Sequence, residues 1–196
     1  MRIEKWGPAG YREMPWKNGG GSTTELLIEP PGATLAGGFL WRISTALVPA
    51  SGPFSPFPGI DRTLLLLEGR GLELDFGGHG RVLLDEPLRP VAFSGDWTAV
   101  GRLLDGPCRD FNVMADRIRI RHEVRVLRPG AEAAALPEAP TVLAYGARGT
   151  AAVGPEGCTL AAGELLRLEG GGSSALEVRA LSEDAAAVLV ALWPRP

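Results

Sequence analysis

Gly52-Pro53-Phe54-Ser55-Pro56-Phe57-Pro58-Gly59-Ile60-Asp61-Arg62-Thr63-Leu64-Leu65-Leu66-Leu67-Glu68-Gly69 joins a turn-rich bridge to a short run that is apolar on both faces. A half-buried strand would alternate, whereas Leu64 to Leu67 offers no polar side, so Arg62 to Glu68 reads as a central strand covered by two layers. Working outward, Trp41 to Val48 places Arg42 and Ser44 on one strand face and Trp41 and Ile43 on the other. Leu72 to Phe76, the turn Gly77-Gly78-His79-Gly80, and Arg81 to Leu84 form a hairpin. Further strands are predicted at Arg2 to Trp6, Thr23 to Glu29, Val91 to Phe93, Thr98 to Leu104 and Asp110 to Met114, with Pro8 to Gly21 as a loop. The 27 Gly and 17 Pro recur along the whole chain and suit short strands with tight turns, so the expected class is all-β.

The character changes after Met114. Ile118 to Leu127 is an Arg-rich strand and Pro129 to Pro140 a polar, Ala-rich connection. Short strands then resume at Thr141 to Ala147, Thr150 to Val153, Cys158 to Leu160, Glu164 to Leu168, Leu176 to Leu181 and Ala186 to Trp193. Ala131 to Leu136 is the one segment with a helical alternative, stopped by Pro137. Two domains are expected, 1–117 and 118–196, the second smaller.

Composition excludes several classes. Of 196 residues 45% are hydrophobic and 22% charged, enough to bury one generous core or two small ones. The net charge of −3 and the scattered basic residues provide no field for phosphate backbone or anionic lipid, so neither nucleic acid nor membrane is an expected partner. Met1 to Trp6 lacks the order of a signal peptide and Ala185 to Trp193 is too short to span a bilayer, which points to the cytoplasm. Cys108 and Cys158 have no CxxC spacing and are expected as buried reduced thiols.

The frame from Gly52 to Gly69 is similar to that of cupin barrels, whose metal-binding members carry an HxH pair, a Glu and then a Gly on one strand pair. Such clusters exist because divalent metals need several N and O ligands in one small volume. Counting back from Gly69, the Glu position falls on Arg62 and the HxH positions on Pro56 and Pro58, and Leu88 to Trp97 has no His. No metal and no cofactor are expected. An arginine in place of a carboxylate reverses the charge of the cavity and makes it a receptor for a small anion. The alternative is that Arg62 pairs internally with Asp61, Asp110 or Glu25.

Pro15-Trp16-Lys17-Asn18-Gly19-Gly20-Gly21-Ser22-Thr23-Thr24-Glu25, Trp41-Arg42-Ile43-Ser44, the Gly52 to Arg62 bridge and Asp110-Phe111-Asn112-Val113-Met114 together resemble the HutD/Ves family of bicupins. The resemblance implies two cupin-like β-barrels in one chain, the second degenerate. It also implies a small-molecule-binding regulator of histidine utilisation, with N-formylglutamate or a related intermediate such as formate as ligand. Either a monomer or a weak homodimer is compatible with two barrels in one chain.

The candidate ligand-binding set is Trp16, Lys17, Asn18, Arg42, Ser44, Phe57, Arg62, Asp110 and Asn112. Trp16, Lys17 and Asn18 would present a ring, a cation and an amide at the cavity mouth, or Trp16 would pack as a plug. Arg42 beside Arg62 would form a two-cation clamp, or lie on a solvated face. Phe57 would wall the pocket or belong to the core. Asn112 could donate to a carboxylate while Asp110 fixes an arginine. Glu25 reads as a partner for Lys17 or Arg42, and His79 and His122 read as exposed. Three functions follow: a carboxylate-binding regulator without turnover, a metal-independent isomerase or hydrolase, and a structural protein with a vestigial pocket.

Overall fold

All four leucines of the Leu64 to Leu67 run are buried, and their strand has a partner on each side. The computed structural model describes residues 1–16, 21–135, 138–170 and 177–196. Among them are β1 (Arg2–Trp6), β2 (Arg12–Pro15), β3 (Ser22–Glu29), β4 (Trp41–Val48), β5 (Gly52–Phe54), β6 (Ile60–Glu68), β7 (Leu72–Asp75), β8 (Arg81–Leu84), β9 (Val91–Ser94), β10 (Ala99–Leu103) and β11 (Cys108–Asp116). The chain continues through β12 (Ile120–Leu127), β13 (Ala133–Ala135), β14 (Thr141–Arg148), β15 (Thr150–Val153), β16 (Cys158–Ala161), β17 (Leu165–Glu169), β18 (Glu177–Ala180) and β19 (Ala186–Pro194). Short 3-10 turns at Pro8–Gly10 and Gly77–His79 are the only helical pieces among the described residues. The chain is an all-β protein. None of its described helices is long and apolar enough to cross a membrane.

The chain divides into two units, one of residues 11–120 and one of residues 1–10 with 121–196. In the first, β2-β3-β4-β11-β6-β9 form one sheet and β5-β10-β7-β8 another. Val48, Leu64 and Leu66 of the larger sheet pack with Leu72, Leu74, Leu84 and Ala99 in one apolar cluster. Opposed residues of an antiparallel pair share a face, so this cluster identifies the inward face of β4, β6 and β11. In the second unit, β1-β17-β14-β19-β12 and β13-β18-β15-β16 enclose Leu127, Val142, Ala144, Val153, Leu166, Val178 and Leu189.

Several expectations need correction. Residues 1–10, read as part of the first domain, supply an edge strand to the second unit, where Lys5 pairs with Leu166. Ala131 to Leu136 has no helix over its described residues, because Ala133–Ala135 pairs with Arg179 to Glu177 and sheet pairing overrides the propensity of alanine. The Pro8 to Gly21 loop contains β2, and the turn-rich bridge contains β5. Cys108 is buried as expected, but Cys158 is only half-buried.

Gly69 ends the central strand at φ +106°, where an added Cβ would lie 2.7 Å from the Cβ of Cys108 and 2.8 Å from the carbonyl oxygen of Pro107. Only glycine lets the chain leave the strand so close to its neighbour.

Candidate functional site

Strand register carries the polar residues of the first unit into adjacent rows on the inward face. β11 lies between β4 and β6, so Met114 is opposite Arg42 on one side and Arg62 on the other. The next row holds Ser44, Asn112 and Leu64, and the one after it Ala46, Asp110 and Leu66. β3 adds Glu25 beside Ser44, with a bulge between Glu25 and Leu27. The result is two arginines flanking one methionine, with Glu25, Ser44, Asn112 and Asp110 in the neighbouring rows.

These groups are deeply buried: Arg42 is 3% exposed, Arg62 5%, Asp110 2% and Asn112 8%. Arg42 Nε donates to Glu25 Oε2 at 2.7 Å, and Nη1 lies 3.4 Å from Ser44 Oγ and 3.9 Å from Met114 Sδ. Arg62 Nη1 has a long contact of 3.4 Å to the carbonyl of Ser55. Its guanidinium sits over two rings, 5.2 Å from the centroid of Phe57 and 5.1 Å from that of Phe93. Of the internal carboxylates considered for Arg62, Glu25 is held by Arg42, and Asp61 accepts from Arg117 at 2.6 Å. Asp110 remains as its electrostatic partner.

The cluster retains hydrogen-bonding capacity. Arg42 Nη2, Arg62 Nε, Asp110 Oδ1 and Asn112 Oδ1 are buried without a hydrogen-bond partner among the described residues. Leaving such groups unpaired is costly, most of all when they carry charge. Burial outweighs the mutual attraction of Arg62 and Asp110. Desolvation lowers Arg62 to about 10 against the help of Asp110 and with the repulsion of Arg42. It raises Asp110 to about 7 although Arg62 and the Ala46 backbone N–H favour the ionised form.

The remaining candidates divide. Phe57 is half-buried, packs with Ile28, Ile60 and Met114, and covers Arg62. Trp16 is held by an indole N–H to Thr23 Oγ1 bond of 2.8 Å and packs on the cluster around Leu64 and Leu66, a plug-like placement. Lys17 and Asn18 lie outside the described residues. His79 is exposed and stacks on Trp97, with ring centroids 4.6 Å apart. His122 is half-buried and makes an interaction of its own. Sequence reasoning did not foresee Met114 between the arginines or Phe93 beneath Arg62, although period two already placed Met114 on the face of Asp110 and Asn112.

No three His, Cys, Asp or Glu side chains among the described residues come together as a metal-ligand set.

A family model described as HutD matches residues 9–187. The chain belongs to the HutD family. That family is associated with histidine utilisation. An uncharacterised 21.2 kDa protein in the hutC 3′ region of Pseudomonas putida is 44% identical over 105 residues, covering 53% of this chain and 53% of that protein. The protein Ves of Cronobacter sakazakii is 37% identical over 59% of this chain and 63% of its own length. The chain thus spans between half and two thirds of the curated relatives it matches.

HutD from Pseudomonas fluorescens SBW25, solved in a formate condition, superposes with a TM-score of 0.85 at 32% identity, covering 100% of both chains. Oxalate decarboxylase of Lactobacillus farciminis has a TM-score of 0.62 at 9% identity over 95% of this chain and 85% of its own, a likeness of fold alone. The fold of this HutD-family chain is cupin-like.

Proposed function

We propose that this HutD-family protein binds a small carboxylate without turning it over and serves as a sensor or regulator in histidine utilisation. The observation that carries this reading is the pair of buried arginines on either side of Met114, each with an N–H group that no described residue satisfies. A guanidinium is permanently charged and shaped to bind carboxylate oxygens, so an anion between Arg42 and Arg62 would complete both. Ser44 and the amide of Asn112 supply neutral hydrogen-bonding groups in the adjacent row. The formate condition of the Pseudomonas fluorescens structure, the hutC neighbourhood of the Pseudomonas putida relative and the family association support the same ligand class. N-formylglutamate, which joins a formyl group to two carboxylates, is the candidate of first choice. The protein is proposed to work without a metal, because Pro56, Pro58 and Arg62 stand where a metal-binding barrel would need donors.

One observation favours a second reading, that of a metal-independent isomerase or hydrolase. Asp110 is a buried carboxyl raised to about 7, the range in which a general acid or base works.

A thermal-shift series separates these readings from a vestigial pocket. Formate, urocanate, glutamate, N-formylglutamate and formiminoglutamate are added to the protein and to Arg62→Ala, because a ligand that binds only the folded state raises the melting temperature. The expected result is a rise with N-formylglutamate that Arg62→Ala abolishes, and no product by NMR after long incubation. Product formation would establish the enzyme instead, and no shift with any acid would leave the vestigial pocket.

A further inference from the structure

The described charged groups on the inward face of the first unit balance before any ligand arrives. Arg42 and Arg62 are positive, Glu25 is paired with Arg42, and an ionised Asp110 faces Arg62. Among the described residues, the surroundings of Asp110 hold no further compensating charge. β3 contributes Glu25, β4 contributes Arg42 and the Ala46 backbone N–H, β6 contributes Arg62, and its own strand carries Cys108 and Arg109. The sheet opposite turns Leu72, Leu74, Leu84 and Ala99 inward. Arg109 is at the exposed end of β11, 3.6 Å from Glu68, and the Cys108 thiol is pushed up to about 11 by burial, so neither balances an added anion near neutral pH.

A carboxylate entering this cluster adds one uncompensated negative charge to a low-dielectric site, which is strongly unfavourable unless a positive charge comes with it. The group able to accept that charge is already in place. Asp110 Oδ1 is buried and has no hydrogen-bond partner among the described residues.

We propose that a carboxylate bound between Arg42 and Arg62 is taken up together with a proton from solvent, which Asp110 holds on Oδ1 while the ligand stays. Asp110 is then a specificity residue: it admits a carboxylate between the two arginines as a neutral acid equivalent. The free carboxyl, raised to about 7 by desolvation, is ionised on the alkaline side of neutrality and must regain its proton for binding there. This inference rests on the anion reading above, and the experiment is arranged so that the two can fail separately.

N-formyl-L-glutamate is titrated into the wild-type protein by calorimetry at pH 8 in two buffers of different ionisation enthalpy, with formate as a second probe followed by pH change in weak buffer. The expected result is close to one proton taken up per ligand, and a dissociation constant that rises roughly tenfold per pH unit from pH 7.5 to 9. Both probes are fully ionised across that window, so the slope belongs to the protein. Asp110→Asn is expected to bind with an affinity independent of pH and without proton uptake. Binding by the wild type without proton exchange, or an unchanged slope in Asp110→Asn, would overturn the proton coupling and leave the anion site standing. No binding of either probe by the wild type at any pH would overturn both. The proton count on the wild type decides the matter even if the variant does not fold.

Discussion

Between its sheets the unit of residues 1–10 and 121–196 holds Leu127, Val142, Val153, Leu166, Val178 and Leu189, aliphatic throughout. The unit of residues 11–120 is also built from two sheets and an aliphatic cluster, yet the same inward face carries Arg42, Arg62, Asp110 and Asn112. The comparison shows that, among the described residues, this sheet arrangement closes in one half without a charged side chain in its inward cluster. Buried guanidinium groups are therefore not a requirement of the architecture, and replacing such ionic sets with apolar side chains is often neutral or stabilising. The charged half keeps an energetically unfavourable interior, and ligand recognition is the reason proposed here.

The sharpest way to break that comparison is Glu25→Ala. Removing the carboxylate 2.7 Å from Arg42 leaves a buried cation uncompensated, and the expected loss is roughly 3–5 kcal/mol of unfolding free energy in urea. Added formate should restore part of it. A loss below about 1 kcal/mol, the range of a solvated surface pair, would show that the arginines are not buried as a coupled set.

A pH series gives an effect of similar size. Asp110 is raised to about 7 in the folded protein, above its unfolded value, so the folded state retains a proton that the unfolded chain has released. Its contribution to stability is present below the unfolded pKa and is lost as pH rises toward 7, on the order of 4 kcal/mol in total. Asp110→Asn should flatten the stability profile between about pH 4 and 7. An unchanged profile would place the charge cost elsewhere.

In the aliphatic half, Leu189→Ala should cost about 2–5 kcal/mol by cavity formation alone, with no dependence on pH or on added carboxylate. Sensitivity of that variant to formate would mean that the two halves are not filled by different rules. The smallest effect is expected from the double variant Arg62→Met with Asp110→Asn, which removes both members of the buried charge pair. Its melting temperature should be unchanged or higher while the response to N-formylglutamate is lost.

Much of this arrangement was legible in the sequence, because period two and glycine placement are local signals. Leu64 to Leu67 announced a strand covered on both faces, and the offset from Gly69 picked out Arg62. Alternation correctly paired Arg42 with Ser44 and Asp110 with Asn112. It could not say that β11 lies between β4 and β6, and that pairing is what sets Arg42 and Arg62 on either side of Met114. Glu25 had two candidate partners until the register of β3 with its bulge was known. Ala131 to Leu136 misled because alanine propensity is weak against a ladder supplied by a distant strand. The destination of β1 was illegible for a related reason: five residues of edge strand specify a face but not a partner.

That pairing has a consequence for how the protein is made. Arg2–Trp6 leaves the ribosome long before its partner, Leu165–Glu169. Residues 11–120 contain every pairing of their own two sheets, so none of those pairings has to wait for Leu165–Glu169. Local contacts form early and distant ones late. Arg2–Trp6 therefore finds its place late, and the unit it completes cannot be finished until Leu165–Glu169 has emerged.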